Sequence, residues 1–285
     1  MSLGLVLSGG GVRGCAHIGV LQALHEAKIK PAFISGTSAG SIVAGLYAYG
    51  YTPQELRLIG KQISKKQFDV DFMGIFSSLI NILFSGKPTT SGLIQGDYFE
   101  RYLYNLTKGI KINKIKMPLA ITAVDINNTN IVVFTSLPNR LLMRNDYVFL
   151  HDVTLSEAIR ASISLPGIFK PKIIKRMRLV DGGVRANLPV EITRMMGAKK
   201  VVAVNLSYSG KPVPYVDNIL EIALQSIDLM VYQITRPSIA SADLIISPEF
   251  NYVQVADFSK IDYLINCGYK ATVEMLPRIK QLLCT

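Results

Sequence analysis

The sequence predicts an α/β fold whose central sheet is mostly parallel. Short apolar runs of strand type alternate with segments of helical periodicity along the 285 residues, the pattern of sheets whose parallel strands are covered by helices. Two early runs pass straight through glycine-rich turns into helices, at Gly9-Gly10-Gly11-Val12-Arg13-Gly14 and at Gly36-Thr37-Ser38-Ala39-Gly40. No repeat, low-complexity tract or linker-like stretch breaks the alternation, so 1–285 is expected to form a single domain.

Leu3 to Leu7 is a strand-like run ending at Ser8, and beyond the glycine loop Ile18, Leu21 and Leu24 share one helical face. The loop matches Gly-x-Gly-x-x-Gly, in which backbone N–H groups of the turn and helix start are aimed at negative charge. A dinucleotide site wants an acidic residue about 20 positions later, at the end of the next strand. That strand ends in Ser35-Gly36-Thr37-Ser38 without a carboxylate, so the donors are expected to serve an oxyanion. Arg13, a cation in a first helical turn, opposes the helix dipole at a cost of a few tenths of a kcal/mol. It calls for a compensating anion, unless the side chain swings into solvent. His17 and His25 in the same helix read as packed or surface residues.

From Phe33 to Gly45 an apolar run, a tight turn and the helical spacing of Ile42, Val43 and Leu46 give strand, turn and helix. A serine at the centre of Gly-x-Ser-x-Gly sits on a turn so sharp that only small neighbours fit, with Oγ held clear of the sheet. Ser38 is placed like a nucleophile, although serine beside glycine is also a common helix N-cap. Thr52-Pro53 opens a further helix.

The stretch Phe72–Phe84 carries a narrow small-and-polar stripe, Gly74, Ser77, Ser78, Asn81 and Ser85, on an otherwise apolar helix. Such a helix is either core or an apolar lid that meets lipid, covering 68–92 with a hinge at Lys87–Gly92.

Asp97–Leu106 reads as a helix, and Leu119–Val124 and Ile131–Phe134 as strands joined by a turn at Asn127–Asn130, with Asp125 a turn residue. Ser156–Ser164 is helical and ends at Leu165-Pro166-Gly167. The short strand Arg178–Val180 runs into Asp181-Gly182-Gly183, either a carboxylate presented at the sheet edge or a plain Asp-Gly turn. A helix from Pro189 to Met196, a strand at Val201–Leu206, a helix at Ile219–Ile234 and a strand at Leu244–Ser247 follow. Ser259–Lys280 is expected as two short helices split near Gly268.

An apolar share of 49% supports a large core, and a charged share of 18% argues against disorder. The formal net charge of +11 favours an acidic partner, anionic membrane or nucleic acid. Neither a Cys/His finger nor an aromatic RNP run is present, so nucleic acid is not expected. Cys15, Cys267 and Cys284 lack metal-ligand spacing and read as unpaired thiols of a reducing compartment. The start lacks a basic n-region and no apolar stretch is long enough to span a bilayer, so a cytoplasmic protein, free or peripheral to the membrane, is expected.

An activated serine normally needs a histidine, and α/β-hydrolases place it after the aspartate. No histidine follows Asp181 here. Either Ser38 is not catalytic or another residue is its base, and Asp181 can fill that role if burial raises its pKa into the working range.

The glycine loop, the Ser38 elbow, the block Arg160-Ala161-Ser162-Ile163-Ser164-Leu165-Pro166-Gly167-Ile168-Phe169 and the Asp181-Gly182-Gly183 triplet, in that order, resemble the patatin-like phospholipase family, its bacterial single-domain branch above all. The resemblance runs from Leu3 to about Leu283. It implies a three-layer α/β/α sandwich that hydrolyses acyl esters of phospholipids or lysophospholipids. It makes Ser38 the nucleophile, Asp181 the proton acceptor, and Gly10, Gly11 and Arg13 the oxyanion hole. Gly9, Gly14, Gly36, Gly40, Gly182 and Gly183 complete the motifs, and neither metal nor other cofactor is implied. Ala39 stands where many relatives carry Met. An acyltransferase with the same dyad and a non-hydrolytic lipid-binding regulator are the alternatives.

Overall fold

Leu3–Leu7 (β1), Phe33–Thr37 (β2), Leu119–Asp125 (β3), Ile131–Thr135 (β4), Tyr147–Leu150 (β5), Lys172–Ile174 (β6), Met177–Asp181 (β7), Lys200–Val204 (β8) and Leu244–Ile246 (β9) join in one sheet in the computed structural model. The structure describes residues 2–63, 94–138, 146–207, 219–251, 253 and 258–284. The apolar helix expected at Phe72–Phe84, the lid expected at 68–92 and the hinge at Lys87–Gly92 lie outside the described residues.

The main path runs β5-β4-β3-β2-β1-β8-β9, with the β6–β7 hairpin attached to β3. The pairs β1–β2, β1–β8, β2–β3, β4–β5 and β8–β9 are parallel, whereas β3–β4, β3–β7 and β6–β7 are antiparallel. The helices are Ala16–Glu26 (α1), Ala39–Tyr49 (α2), Pro53–Gln62 (α3), Asp97–Leu106 (α4), Leu155–Ser162 (α5), Val190–Met195 (α6), Ile219–Ser241 (α7) and Ile261–Cys284 (α8).

Alternation along β1 shows how the sheet is covered on both faces. Leu3, Leu5 and Leu7 join Leu21 and Leu24 of α1, Leu46 of α2 and Ile265 of α8 in the larger core. Val6, pointing the other way, packs with Leu188, Val190 and Ala203, and Ile239 of α7 closes that side. Period-2 alternation on a strand buried on both faces therefore feeds two cores, one per helix layer.

Two expectations for the C-terminal helices need correction. Ile261–Cys284 is one helix rather than two, and Gly268 does not break it. A Cβ at Gly268 would lie 1.9 Å from the carbonyl oxygen of Ala16, and one at Gly19 would lie 1.9 Å from that of Ile265. The two glycines let α1 and α8 touch backbone to backbone, which is a packing role and not a helix stop. Likewise α7 continues past Ile234 to Ser241 with Pro237 inside it. Packing of Ile239 on the second core and the Arg194 guanidinium, which donates to Ser241 O at 2.8 Å, hold that last stretch.

The register of β3 creates the site. Up to Thr122, which faces Thr37, β3 pairs with β2; from Ala123, which faces Asp181, it pairs with β7. Asp181 is thereby set just beyond the end of β2, where the chain turns through Ser38.

Candidate active site

The turn between β2 and α2 is built from contacts that exclude side chains. A Cβ on Gly36 would meet Gly40 O at 2.4 Å, and one on Gly40 would meet Leu7 O at 2.3 Å and Ser8 O at 2.6 Å. Ser38 takes φ 52° and ψ −126°, a conformation rarely adopted by an L-residue, and such strain costs on the order of 1–3 kcal/mol. The surroundings hold it in place: Ser38 N–H donates to Ser162 Oγ at 2.8 Å, and Ser38 O accepts from both the N–H and the Oγ of Ser41 at 2.8 and 2.6 Å. The Ser38 side chain makes no cap bond to α2. It lies beside the Asp181 carboxylate, where it favours the charged form, and without a cap bond the plain N-cap reading falls away.

Asp181 is 3% exposed. Its carboxylate accepts from Gly183 N–H at 2.7 Å, and its own N–H donates to Ser164 O at 2.9 Å. Burial pushes its pKa up to about 6, against the opposing hydrogen bonds from Ser38 and Gly183. The group is thus ionised at neutral pH yet basic enough to take a proton. Gly182 must be small because a Cβ there would lie 2.4 Å from Thr122 Oγ1. Thr122 and Thr37 share a hydrogen bond of 2.6 Å, and Thr37 donates to Ala186 O at 2.8 Å, so buried hydroxyls knit the triplet to β2.

The Arg160–Phe169 block supplies the scaffold for both members. Ser162 and Ser164 hold Ser38 and Asp181 as above. Arg160, 1% exposed, donates to Ser164 Oγ at 2.7 Å, to Lys170 O at 2.9 Å and to Gln95 O, and its guanidinium lies over the Phe169 ring at 5.3 Å. A buried cation thereby organises a loop through carbonyls and a ring face.

The glycine loop faces the pair from the end of β1. Gly9 N–H donates to Asn187 Oδ1 at 3.1 Å, whereas the N–H groups of Gly10 and Gly11 have no partner among the described residues. Arg13 does not swing into solvent. Its Nε donates to Gly10 O at 3.2 Å and its Nη2 pairs with Asp228 of α7 at 3.1 Å. Because C=O and N–H of one trans peptide point opposite ways, the pull on Gly10 O turns Gly11 N–H away from Arg13. The compensating anion expected for Arg13 is Asp228, which sequence reasoning missed: nothing local links residues so far apart. Asn187 was missed too, although its position between Asp181 and Pro189 was a usable signal. It joins the glycine loop to Ser207 and α7, for its Nδ2 donates to Ser207 Oγ at 2.7 Å and Thr235 Oγ1 at 3.3 Å.

His17 is buried and bonds Ser8 O through Nε2 at 2.8 Å. Burial pushes its pKa down to about 4, so it is a neutral packed residue, and His25 is exposed. Asp125, expected in the turn, is the last residue of β3, and its buried carboxylate caps the turn that follows by accepting from Asn127 N–H and Asn128 Nδ2.

Ser38, Asp181 and the glycine loop open into one cavity of about 520 Å³. Its remaining wall is apolar, with Ile42 and Leu46 from α2, Ile59 from α3, and Leu224, Ile227 and Val231 from α7. Among the described residues no group of His, Cys, Asp and Glu side chains could hold a metal ion.

Residues 5–194 match the family model described as patatin-like phospholipase. The chain belongs to that family. Among curated relatives of this patatin-like domain, lysophospholipase NTE1 of Mycosarcoma maydis is 32% identical over 206 residues, covering 72% of the chain and 10% of the relative. Human patatin-like phospholipase domain-containing protein 6 is 31% identical over 207 residues, covering 72% and 13%. The chain therefore spans only a small part of the length of these relatives. VipD from Legionella pneumophila superposes with a TM-score of 0.56 at 13% identity over 97% of the chain and 67% of its own. Human GIVD cytosolic phospholipase A2 gives 0.54 at 11% identity over 99% and 60%. These two show that the patatin-like fold is shared.

Proposed function

We propose that this chain is a serine lipid acyl hydrolase that uses Ser38 and Asp181 as a dyad, with phospholipids or lysophospholipids as substrates at a membrane surface. The observation that supports it most is a buried Asp181 carboxylate beside the Ser38 hydroxyl, its pKa raised by burial to about 6. A hydroxyl on a strained turn, a matched base, unpaired loop N–H groups and an apolar cavity are what cleavage of a fatty acyl ester requires. The names of the relatives, a lysophospholipase and patatin-like phospholipases, fit the same chemistry.

In this reading Asp181 takes the hydroxyl proton as Ser38 Oγ attacks the ester carbonyl. The N–H groups of Gly10 and Gly11 receive the tetrahedral oxyanion, an effect of about 3 to 4 kcal/mol for each good donor. Arg13, engaged with Gly10 O and Asp228, keeps the loop in position and adds positive potential. Collapse of the intermediate expels the alcohol, which takes the proton from Asp181. Water activated by the same carboxylate then releases the fatty acid from Ser38.

A fluorophosphonate probe is expected to label Ser38 stoichiometrically, and Ser38→Ala and Asp181→Asn are each expected to abolish ester turnover. Full activity in either variant ends the proposal.

A further inference from the structure

Helix α7 has two apolar faces. Leu224, Ile227 and Val231 turn inward to the cavity that holds Ser38, at the spacing of one helical face. Around the other side Ile222 and Leu229 are 47% and 45% exposed, Met230 on the flank between is 57% exposed, and Ile234, one heptad beyond Ile227, is 38% exposed. Soluble surfaces rarely gather apolar side chains in this way without a partner.

The helix cannot roll to bury that face. Asp228 is paired with Arg13 at 3.1 Å and Thr235 Oγ1 accepts from Asn187 at 3.3 Å, so the inner side is fixed to the glycine loop and to the residue behind the Asp181 triplet. The charges are sorted as well. Of the charged side chains on α7, Glu221 and Asp228 are partly buried, Asp228 against Arg13, and Arg236 is exposed.

We propose that the outer face of α7 is the docking surface of this chain for an anionic phospholipid bilayer. The inference deepens the lipid hydrolase reading and rests on it. A helix lying in the interface plane buries its apolar side about 5–10 Å deep, which suits Ile222, Leu229 and Met230. The net charge of +11 supplies attraction to an acidic leaflet. One wall of the cavity then stands in the bilayer surface, so an acyl chain reaches Ser38 without crossing water. Among the described residues no helix is long and apolar enough to cross a membrane, so the association proposed here is peripheral.

The test uses the full chain with vesicles of phosphatidylcholine, with and without phosphatidylglycerol, in a flotation assay. Wild type is expected to float with the mixed vesicles, and less with phosphatidylcholine alone or in high salt. Leu229→Asp and Met230→Asp are each expected to weaken vesicle binding about tenfold, given the apolar area removed, with turnover of vesicle-borne phospholipid falling in parallel. Hydrolysis of a water-soluble short-chain ester should stay within about twofold of wild type, because neither residue lines the cavity. Leu58→Asp, which alters a still more exposed apolar residue on α3, should leave binding unchanged. Undiminished binding by the Leu229→Asp/Met230→Asp double variant overturns the proposal. So does a wild-type dimer that the same double variant dissolves, since a second copy would then be the occupant. If wild type cleaves no ester while the double variant loses vesicle binding, the hydrolase reading fails and the docking surface stands.

Discussion

The two halves of the site are held by forces of different kinds. On the elbow side, Ser38 and Asp181 are fixed by backbone contacts too close for a side chain and by buried hydroxyls of the sheet and of Ser162 at the end of α5. On the loop side, Gly10 and Gly11 are oriented through Arg13, whose partner Asp228 arrives on a helix more than two hundred residues away in the chain. The side chains of that ion pair are 16% and 32% exposed. Packing against backbone is insensitive to salt and tolerates no substitution, whereas a half-exposed ion pair is screened and can be tuned. The proposed nucleophile and base are thus built rigidly, and the proposed oxyanion donors are coupled to α7.

The largest effect expected from breaking the elbow side is chemical. Ser38→Ala removes the attacking atom and leaves the turn, so kcat should fall about 10⁴-fold or more while the melting temperature changes little. Gly40→Ala attacks the same side by geometry. Its Cβ would press on Leu7 O at 2.3 Å, a backbone atom of β1 that cannot give way alone. A loss of about 4 kcal/mol or more is expected in denaturant unfolding, at the top of the range for single substitutions. Near-normal stability of Gly40→Ala would show the elbow to be looser than these contacts imply.

Asp181 stores part of the cost of that rigidity. Burial raises its pKa from an ordinary 3.8 to about 6, so the native state holds this proton more tightly than the unfolded chain does. Its contribution to stability is intact below about pH 4 and is lost as pH rises through about 6. The gap between those two pKa values corresponds to about 3 kcal/mol. Asp181→Asn should therefore be inactive yet more stable than wild type by up to about 3 kcal/mol at pH 8, and equal to it near pH 4. Wild-type kcat/KM should fall below pH 6 as the base is protonated. An unfolding difference that is flat from pH 4 to 8 contradicts the raised pKa.

Much of the elbow side was legible in the sequence because its determinants are local. Gly36, Gly40 and the apolar run before Ser38 name a strand and a turn that only small residues allow, and Asp181-Gly182-Gly183 follows its own short strand. The absence of a histidine after Asp181 pointed to the carboxylate as base. Less could be read where the cause lies between distant segments. Gly268 has the signature of a helix break, and its true reason, the carbonyl of Ala16 against it, belongs to another helix. Pro237 ends a helix by local rules, but Ile239 beyond it is held by the second core. The need for an anion beside Arg13 followed from the dipole argument, whereas its identity as Asp228 required the fold.

That last pairing offers the mildest perturbation and the sharpest separation of the two halves. Asp228→Asn keeps the shape of the side chain and removes its charge, leaving Ser38, Asp181 and the apolar part of the cavity wall as they are. Arg13 then loses the partner that steadies its hold on Gly10 O, and Gly11 N–H is less often aimed at the developing oxyanion. Loss of a whole donor costs about 10²–10³ in rate, so partial misorientation should lower kcat about tenfold. KM should stay nearly constant, because the oxyanion exists only in the transition state. Stability should change by less than about 1 kcal/mol, as for other partly exposed pairs, and Asp228→Glu should recover most of the rate. If kcat is unchanged while KM rises, Asp228 shapes the substrate wall of α7 instead, and the coupling between helix and glycine loop is not catalytic.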